Sequence, residues 1–156
     1  MLPYVALNGV CLDYFLRIGV SALVLVDTSV WIDFLQQPRS KIHEEMTRLI
    51  QGTNRVLICG LVMQEILQGL KSSRSTHLFQ SRLQKLPFLP TRKSTYILAA
   101  EIFRKLKGKG VEVQTVDATI AAIAIENRVP LFTLNLRHFV PMRHVCKLRL
   151  HPMPIS

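Results

Sequence analysis

The stretch Val24 to Leu35, VLVDTSVWIDFL, decides how this chain is read. The run Ala22-Leu23-Val24-Leu25-Val26 is apolar and β-rich without alternation, the composition of a strand buried on both faces of a parallel sheet. It stops at Asp27, and Thr28-Ser29 then lead into a new apolar segment, so Asp27 stands at a strand-to-helix turn. In an open parallel sheet the carboxyl ends of the strands border the ligand crevice. A carboxylate at that junction is therefore a candidate for chemistry.

The same grammar recurs downstream. Residues 28 to 35 are expected as a short helix with Thr28 or Ser29 available to cap it, and Lys41 to Gln51 as an amphipathic one with Glu44 and Glu45 facing water. Arg55 to Ile58 reads as a second buried strand, and Leu61 to Lys71 as a helix carrying Glu65 about one turn past that strand's end. Helices are expected over Ser75 to Leu86, closed by Pro87 and Pro90, and over Thr91 to Lys107, stopped by Gly108 and Gly110. Residues 117 to 127, DATIAAIAIEN, are small or apolar on nearly every face, which describes a buried helix. Asp117 at its start serves either as an N-cap, worth about 1 kcal/mol, or as a ligand. Leu131 to Thr133 reads as a strand with Asn135 just beyond it, and a final strand is expected near Val145 to Leu150.

Composition bounds the rest. The 156 residues, 49% of them hydrophobic, suffice for one domain with its own core. Residues 1 to 22 read as an N-terminal extension, expected as an artefact of the assigned start with the functional chain opening near Val24; 23 to 150 are expected as the domain and 151 to 156 as a tail. The longest uncharged run before the strand, residues 1 to 12, is short of the roughly 18 to 20 needed to span a bilayer, so no membrane role is expected. Three cysteines at no metal-like spacing indicate a reducing, cytoplasmic setting. The net charge of +10 is uneven: residues 71 to 109 hold ten bases against the single acid Glu101. Such a surface attracts polyanions, nucleic acid first among them, although a solvated basic face or a dock for an acidic protein gives the same count.

Alternating strands and helices imply a parallel α/β sheet, and Asp27, Glu65, Asp117 and Asn135 all fall near one edge of it. Carboxylates that converge without a cation repel one another. Together they call for a hard divalent ion, Mg²⁺ or Mn²⁺, which can activate water and stabilise charge on a phosphate.

The blocks VLVDTSVWIDFL (24 to 35), MQEILQGL (63 to 70) and VDATIAAIAIENRVPLFTLNLRHF (116 to 139) resemble, in order and spacing, the PIN domain, and within it the VapC-type ribonuclease toxins of toxin-antitoxin pairs. The resemblance implies a three-layer α/β/α sandwich around a mainly parallel sheet of four or five strands. It implies that Asp27, Glu65 and Asp117 are the acidic ligands of Mg²⁺, with Mn²⁺ as the alternative ion, and that Ser29 supports the site. Asn135 stands where many members carry a fourth acid, and as a neutral amide it would bind weakly or through water. The implied partners are an RNA substrate, a VapB-type antitoxin and a second copy in a homodimer. A non-catalytic PIN scaffold that holds RNA or antitoxin is the alternative. A haloacid-dehalogenase-type phosphatase would need a second acid where Ser29 stands, and a receiver-like domain an early acidic pair that this chain lacks.

Overall fold

A computed structural model describes residues 23–52, 55–70 and 74–154, together with the backbone of 6–7 and 10–11. Ala6–Leu7 (β1) and Val10–Cys11 (β2) pair antiparallel. The expectation for residues 1 to 22 otherwise lies outside the described residues, as do the turn at Thr53-Asn54 and the break at Ser72-Ser73.

Among the described residues the domain proper is built on a four-stranded parallel sheet flanked by seven helices, the three-layer arrangement expected. Val24–Val26 (β3) is followed by Thr28–Gln36 (α1) and Lys41–Gln51 (α2), then by Val56–Cys59 (β4) and Gly60–Gly69 (α3). Arg74–Leu83 (α4), Phe88–Leu89 (β5) and Lys93–Lys107 (α5) come next, and Thr115–Glu126 (α6), Leu131–Phe132 (β6) and Leu136–Cys146 (α7) complete the domain. Both inner strands are wholly buried, which is why their sequences run apolar without alternation. Helix α6 is buried from Asp117 through Ala124, as a helix apolar all round must be. Among the described residues no helix is long and apolar enough to cross a membrane.

The strand order β5-β4-β3-β6 positions the site. From β3 the chain builds outward on one side through β4 and β5, then returns to add β6 on the other side, pairing Leu25 with Leu131 and Val26 with Phe132. The reversal falls between β3 and β6, and the crevice of a doubly wound sheet opens at such a switch point, beyond the carboxyl ends of the strands.

Three local expectations are corrected. Strand β5 forms between Pro87 and Pro90, where prolines are tolerated because the strand lies at the sheet's edge; Ile58 N–H donates to the Pro87 carbonyl at 3.0 Å. The strand expected at Val145 to Leu150 is instead the last turn of α7, ended by Lys147 in the left-handed conformation (φ 60°), and only Leu150 reaches the sheet, through one bridge to Leu131. Helix α7 runs through Pro141, which only forgoes donation to the Arg137 carbonyl one turn back.

Glu45 is the third. Its side chain is 15% exposed, because the C-terminal segment folds across it: His151 Nε2 meets Glu45 Oε1 at 2.8 Å, and Arg48 donates to both carboxylate oxygens at 2.8 and 2.6 Å. The His151 ring also packs on Phe132, with centroids 4.7 Å apart. The Arg48 guanidinium, aided by His151 and opposed by burial, holds the Glu45 carboxyl below its usual value of 4.5. A carboxyl depressed on folding stabilises the protein above its unfolded pKa, and that contribution disappears as pH falls through the folded value. Glu45→Gln should therefore flatten the loss of melting temperature below pH 4.5 relative to the parent; parallel melting curves from pH 7 to 3 would show that the contact carries no such linkage.

Candidate active site

Strand β3 ends at Asp27, which is also the residue before α1. Its carbonyl accepts the N–H groups of Val30 and Trp31, while its side chain makes no capping bond. The carboxylate turns instead toward β6. Thr133 Oγ1 donates to Asp27 Oδ2 at 2.7 Å, and Ser29 Oγ donates to the same oxygen at 2.6 Å. Ser29 Oγ in turn accepts the Leu134 N–H at 3.0 Å, and Thr133 Oγ1 accepts that of Asn135 at 3.0 Å. Asp27 N–H donates to the Phe132 carbonyl at 2.8 Å. Two strand ends are thus sewn together around one carboxylate, itself only 5% exposed.

Ser29 therefore stands in its expected supporting place. Thr28 has a function that helix capping did not anticipate: its hydroxyl donates to Glu65 Oε2, tying α3 to the turn after β3. The Cys59 thiol, at the end of β4, reports the same neighbourhood. Burial pushes it up to about 11, and the charges of Asp27 and Glu65 push in the same direction.

Asp117 is not the cap of its helix. Helix α6 starts two residues earlier, with Gln114 at the N-cap, so Asp117 lies in the first turn, where the helix dipole favours its charge. Its Oδ2 meets His138 Nδ1 at 2.6 Å, and Asn135 Nδ2 lies 3.0 Å from that same ring nitrogen. Burial raises the Asp117 carboxyl above its ordinary value, the charge of Asp27 adds to the rise, and His138 opposes both. Asn135 occupies the N-cap of α7 without capping it through its side chain. It faces His138 rather than a carboxylate.

All four expected residues thus come to the carboxyl edge of the sheet, in two linked groups. One holds Asp27 with Ser29 and Thr133, and Glu65 through Thr28; the other holds Asp117, His138 and Asn135. Among the described residues no three His, Cys, Asp or Glu side chains sit close enough together to enclose one ion. The donor chemistry itself, three carboxylates and an amide, is that of a hard divalent cation. Sequence reading gave Thr133 no role at the site and placed His138, with Arg137, either against RNA phosphate or in a solvated loop, not on Asp117. The signal for both was the spacing Thr133-x-Asn135-x-x-His138, which places hydroxyl and imidazole on the strand end and first helical turn beside Asn135.

A cleft of about 420 Å³ adjoins the second group, lined by Gly110 to Gln114 and by Arg137 and His138. A separate apolar groove of about 360 Å³ lies over Trp31, Phe34, Ile50 and Phe79, with Arg82 and Lys85 among its walls. Arg82 and Lys85 thus border that groove, and Arg137 lines the cleft at the carboxylate edge.

Comparison with known proteins agrees with this architecture. The VapC ribonuclease Mb1587 of Mycobacterium bovis is 28% identical over 108 residues, covering 67% of this chain and 81% of the relative. Ribonuclease VapC1 of Methanocaldococcus jannaschii is 28% identical over 116 residues, covering 74% and 78%. The DNA-bound VapBC structure from Salmonella typhimurium shares the fold with a TM-score of 0.67 at 22% identity, covering 83% of this chain and 97% of that one. VapC20 of Mycobacterium tuberculosis, a sarcin-ricin loop cleaving toxin, gives a TM-score of 0.51 at 19% identity, covering 68% and 84%. The PIN domain profile matches residues 24–145, from the strand that delivers Asp27 through the helix that delivers His138, and the chain belongs to the PIN domain family.

Proposed function

We propose that this chain is a metal-dependent ribonuclease, the toxin of a toxin-antitoxin pair, acting in the cytoplasm. The observation that carries the reading is the placement of Asp27 and Asp117 at the carboxyl edge around the β3–β6 switch point, Asp27 held by Ser29 and Thr133 and Asp117 by His138, with Glu65 tied to the same turn. Relatives named as ribonucleases at 28% identity support the RNA substrate. Free Cys59 and Cys146 suit a reducing compartment.

Asp27, Glu65 and Asp117 would hold Mg²⁺, or Mn²⁺ in its place, once the ion draws the two groups together, with Asn135 adding a neutral oxygen directly or through water. Such an ion supplies charge neutralisation, a lowered pKa for coordinated water and stabilisation of the charge that builds on phosphate. The chain's own groups do the positioning. Ser29 and Thr133 fix one oxygen of Asp27, Thr28 fixes one of Glu65, and His138 fixes one of Asp117. Hydrolysis then adds water across a P–O bond, hydroxyl to phosphorus and proton to the departing oxygen.

The open spacing of the acids and the neutral Asn135 favour one other reading, a PIN scaffold that binds RNA or antitoxin without cutting. Cleavage separates the two. With structured RNA and Mg²⁺, Asp27→Asn and Asp117→Asn should each abolish cleavage with little change in melting temperature. Thr133→Val, which removes only the support of Asp27, should lower the rate about 10–100-fold. A parent protein that leaves RNA intact would leave the scaffold reading standing.

The apolar groove over Trp31 and Phe79 suits the antitoxin. Its walls include Arg82 and Lys85 beside apolar Phe34, Ile50 and Phe79, so an acidic amphipathic segment would match both its charge and its apolar floor. Phe79→Asp should abolish co-purification with the product of a short upstream reading frame while cleavage persists; intact co-purification would move the partner elsewhere. For the homodimer, Tyr96 and Ile97 of α5 are 61% and 64% exposed and offer apolar surface for a second copy to cover. Ile97→Glu should shift the sedimenting species from dimer to monomer, and an unchanged dimer would clear α5 of that role.

A further inference from the structure

The cleft beside Asp117 is open to more than the proposed ion. Its floor and walls are Val111, Glu112, Val113 and Gln114 of the α5–α6 connector and Arg137 and His138 of α7. His138 belongs to both places: it lines the cleft, and its Nδ1 lies 2.6 Å from Asp117 Oδ2. Whatever fills the cleft therefore abuts the carboxylate edge. At about 420 Å³ it falls within the roughly 300–1,000 Å³ of small-ligand pockets, room for a single unstacked nucleotide but not for a helix of paired strands. Glu112 and Val113 lie in neither helix nor strand, and among the described residues no hydrogen bond engages their backbone groups, which leaves polar edges that a base can pair with.

Charge continues outward from the cleft. Lys109 immediately precedes Gly110, whose positive φ of 73° turns the chain into the connector. At the end of α7 burial raises the Cys146 thiol, and the charges of Lys105 and Lys109 oppose that rise. On α7 itself Arg137 and His144 are seven residues apart, two helical turns along one face, and Arg143 and Lys147 lie close by. Among the described residues none of Lys105, Lys109, Arg137, Arg143 and Lys147 forms an ion pair. The groove bordered by Arg82 and Lys85 shares no residue with this cleft.

We propose that the cleft is the subsite for one unpaired RNA nucleotide next to the scissile phosphate, with Arg137 on its phosphate and the connector at Gln114 against its base. The flanking strand leaves over the cations at the ends of α5 and α7, not over α4. This deepens, and rests on, the ribonuclease reading of the adjoining acids, and it assigns sequence preference to residues 112–114.

Equilibrium binding separates the two ideas, because it needs no cleavage. Fluorescein-labelled single-stranded RNA 10-mers, the four homopolymers and one mixed sequence, are titrated with intact protein in EDTA across a salt series. Arg137→Ala should weaken binding about tenfold for every sequence and reduce the log–log salt slope by about 1. Gln114→Ala should change the ranking of the homopolymers while leaving the slope alone, and the Arg82→Ala/Lys85→Ala double variant should remain within about twofold of the parent. Unchanged affinity in Arg137→Ala, or the loss appearing in the double variant instead, overturns the subsite, as does a parent protein that binds none of the RNAs. Binding with the expected pattern by a protein that cuts nothing in Mg²⁺ upholds the subsite and overturns the nuclease.

Discussion

The hydrogen bond from Thr133 to Asp27 joins residues 106 positions apart, and the site depends on it. A buried carboxylate is costly unless it is hydrogen-bonded. Here the donors are the hydroxyls of Ser29 and Thr133, both attached to the segments that end β3 and β6. Stabilising Asp27 and closing the switch point of the sheet are consequently one event. The same choice of donor recurs, with Thr28 on Glu65 and an imidazole on Asp117. No lysine or arginine pairs with any of the three acids among the described residues. Neutral donors orient a carboxylate without cancelling its charge, and burial, with the charge of Asp27 adding to it, raises the Asp117 carboxyl against the opposing His138.

An acidic crevice within a chain of net charge +10 divides the surface by sign. The basic residues separate again by location. Arg82 and Lys85 border an apolar groove, where charge adds to hydrophobic docking, whereas Arg137 lines the cleft beside Asp117 and His138. A count of bases along the chain treats these as one property. In three dimensions they suit different partners, a protein segment in the first case and a phosphodiester strand in the second.

How much could be read beforehand differs from residue to residue for physical reasons. β3 and α6 were legible because burial on all sides imposes an apolar composition that no exposed segment carries. Strand β5 was not, since two residues between prolines hold no periodicity, and only the edge of β4 makes them a strand. The continuation of α7 through Pro141 was hidden for the opposite reason: a helix-breaking residue is tolerated where tertiary packing, here of Phe139 and Met142 in the core, outweighs one lost hydrogen bond. Asp117 was ambiguous between cap and ligand because the helix start could not be placed within two residues, and that placement alone decides which it can be.

The sequence by itself determined the parallel α/β architecture, the junction at Asp27 and the identity of the acids, since local composition and spacing follow from burial and strand order. Tertiary structure decided which neutral groups hold those acids, which basic patch lies beside them, and that Asn135 addresses His138 in place of a carboxylate. Those outcomes depend on the return of β6 to the far side of β3, a contact between segments more than a hundred residues apart whose register no local signal encodes.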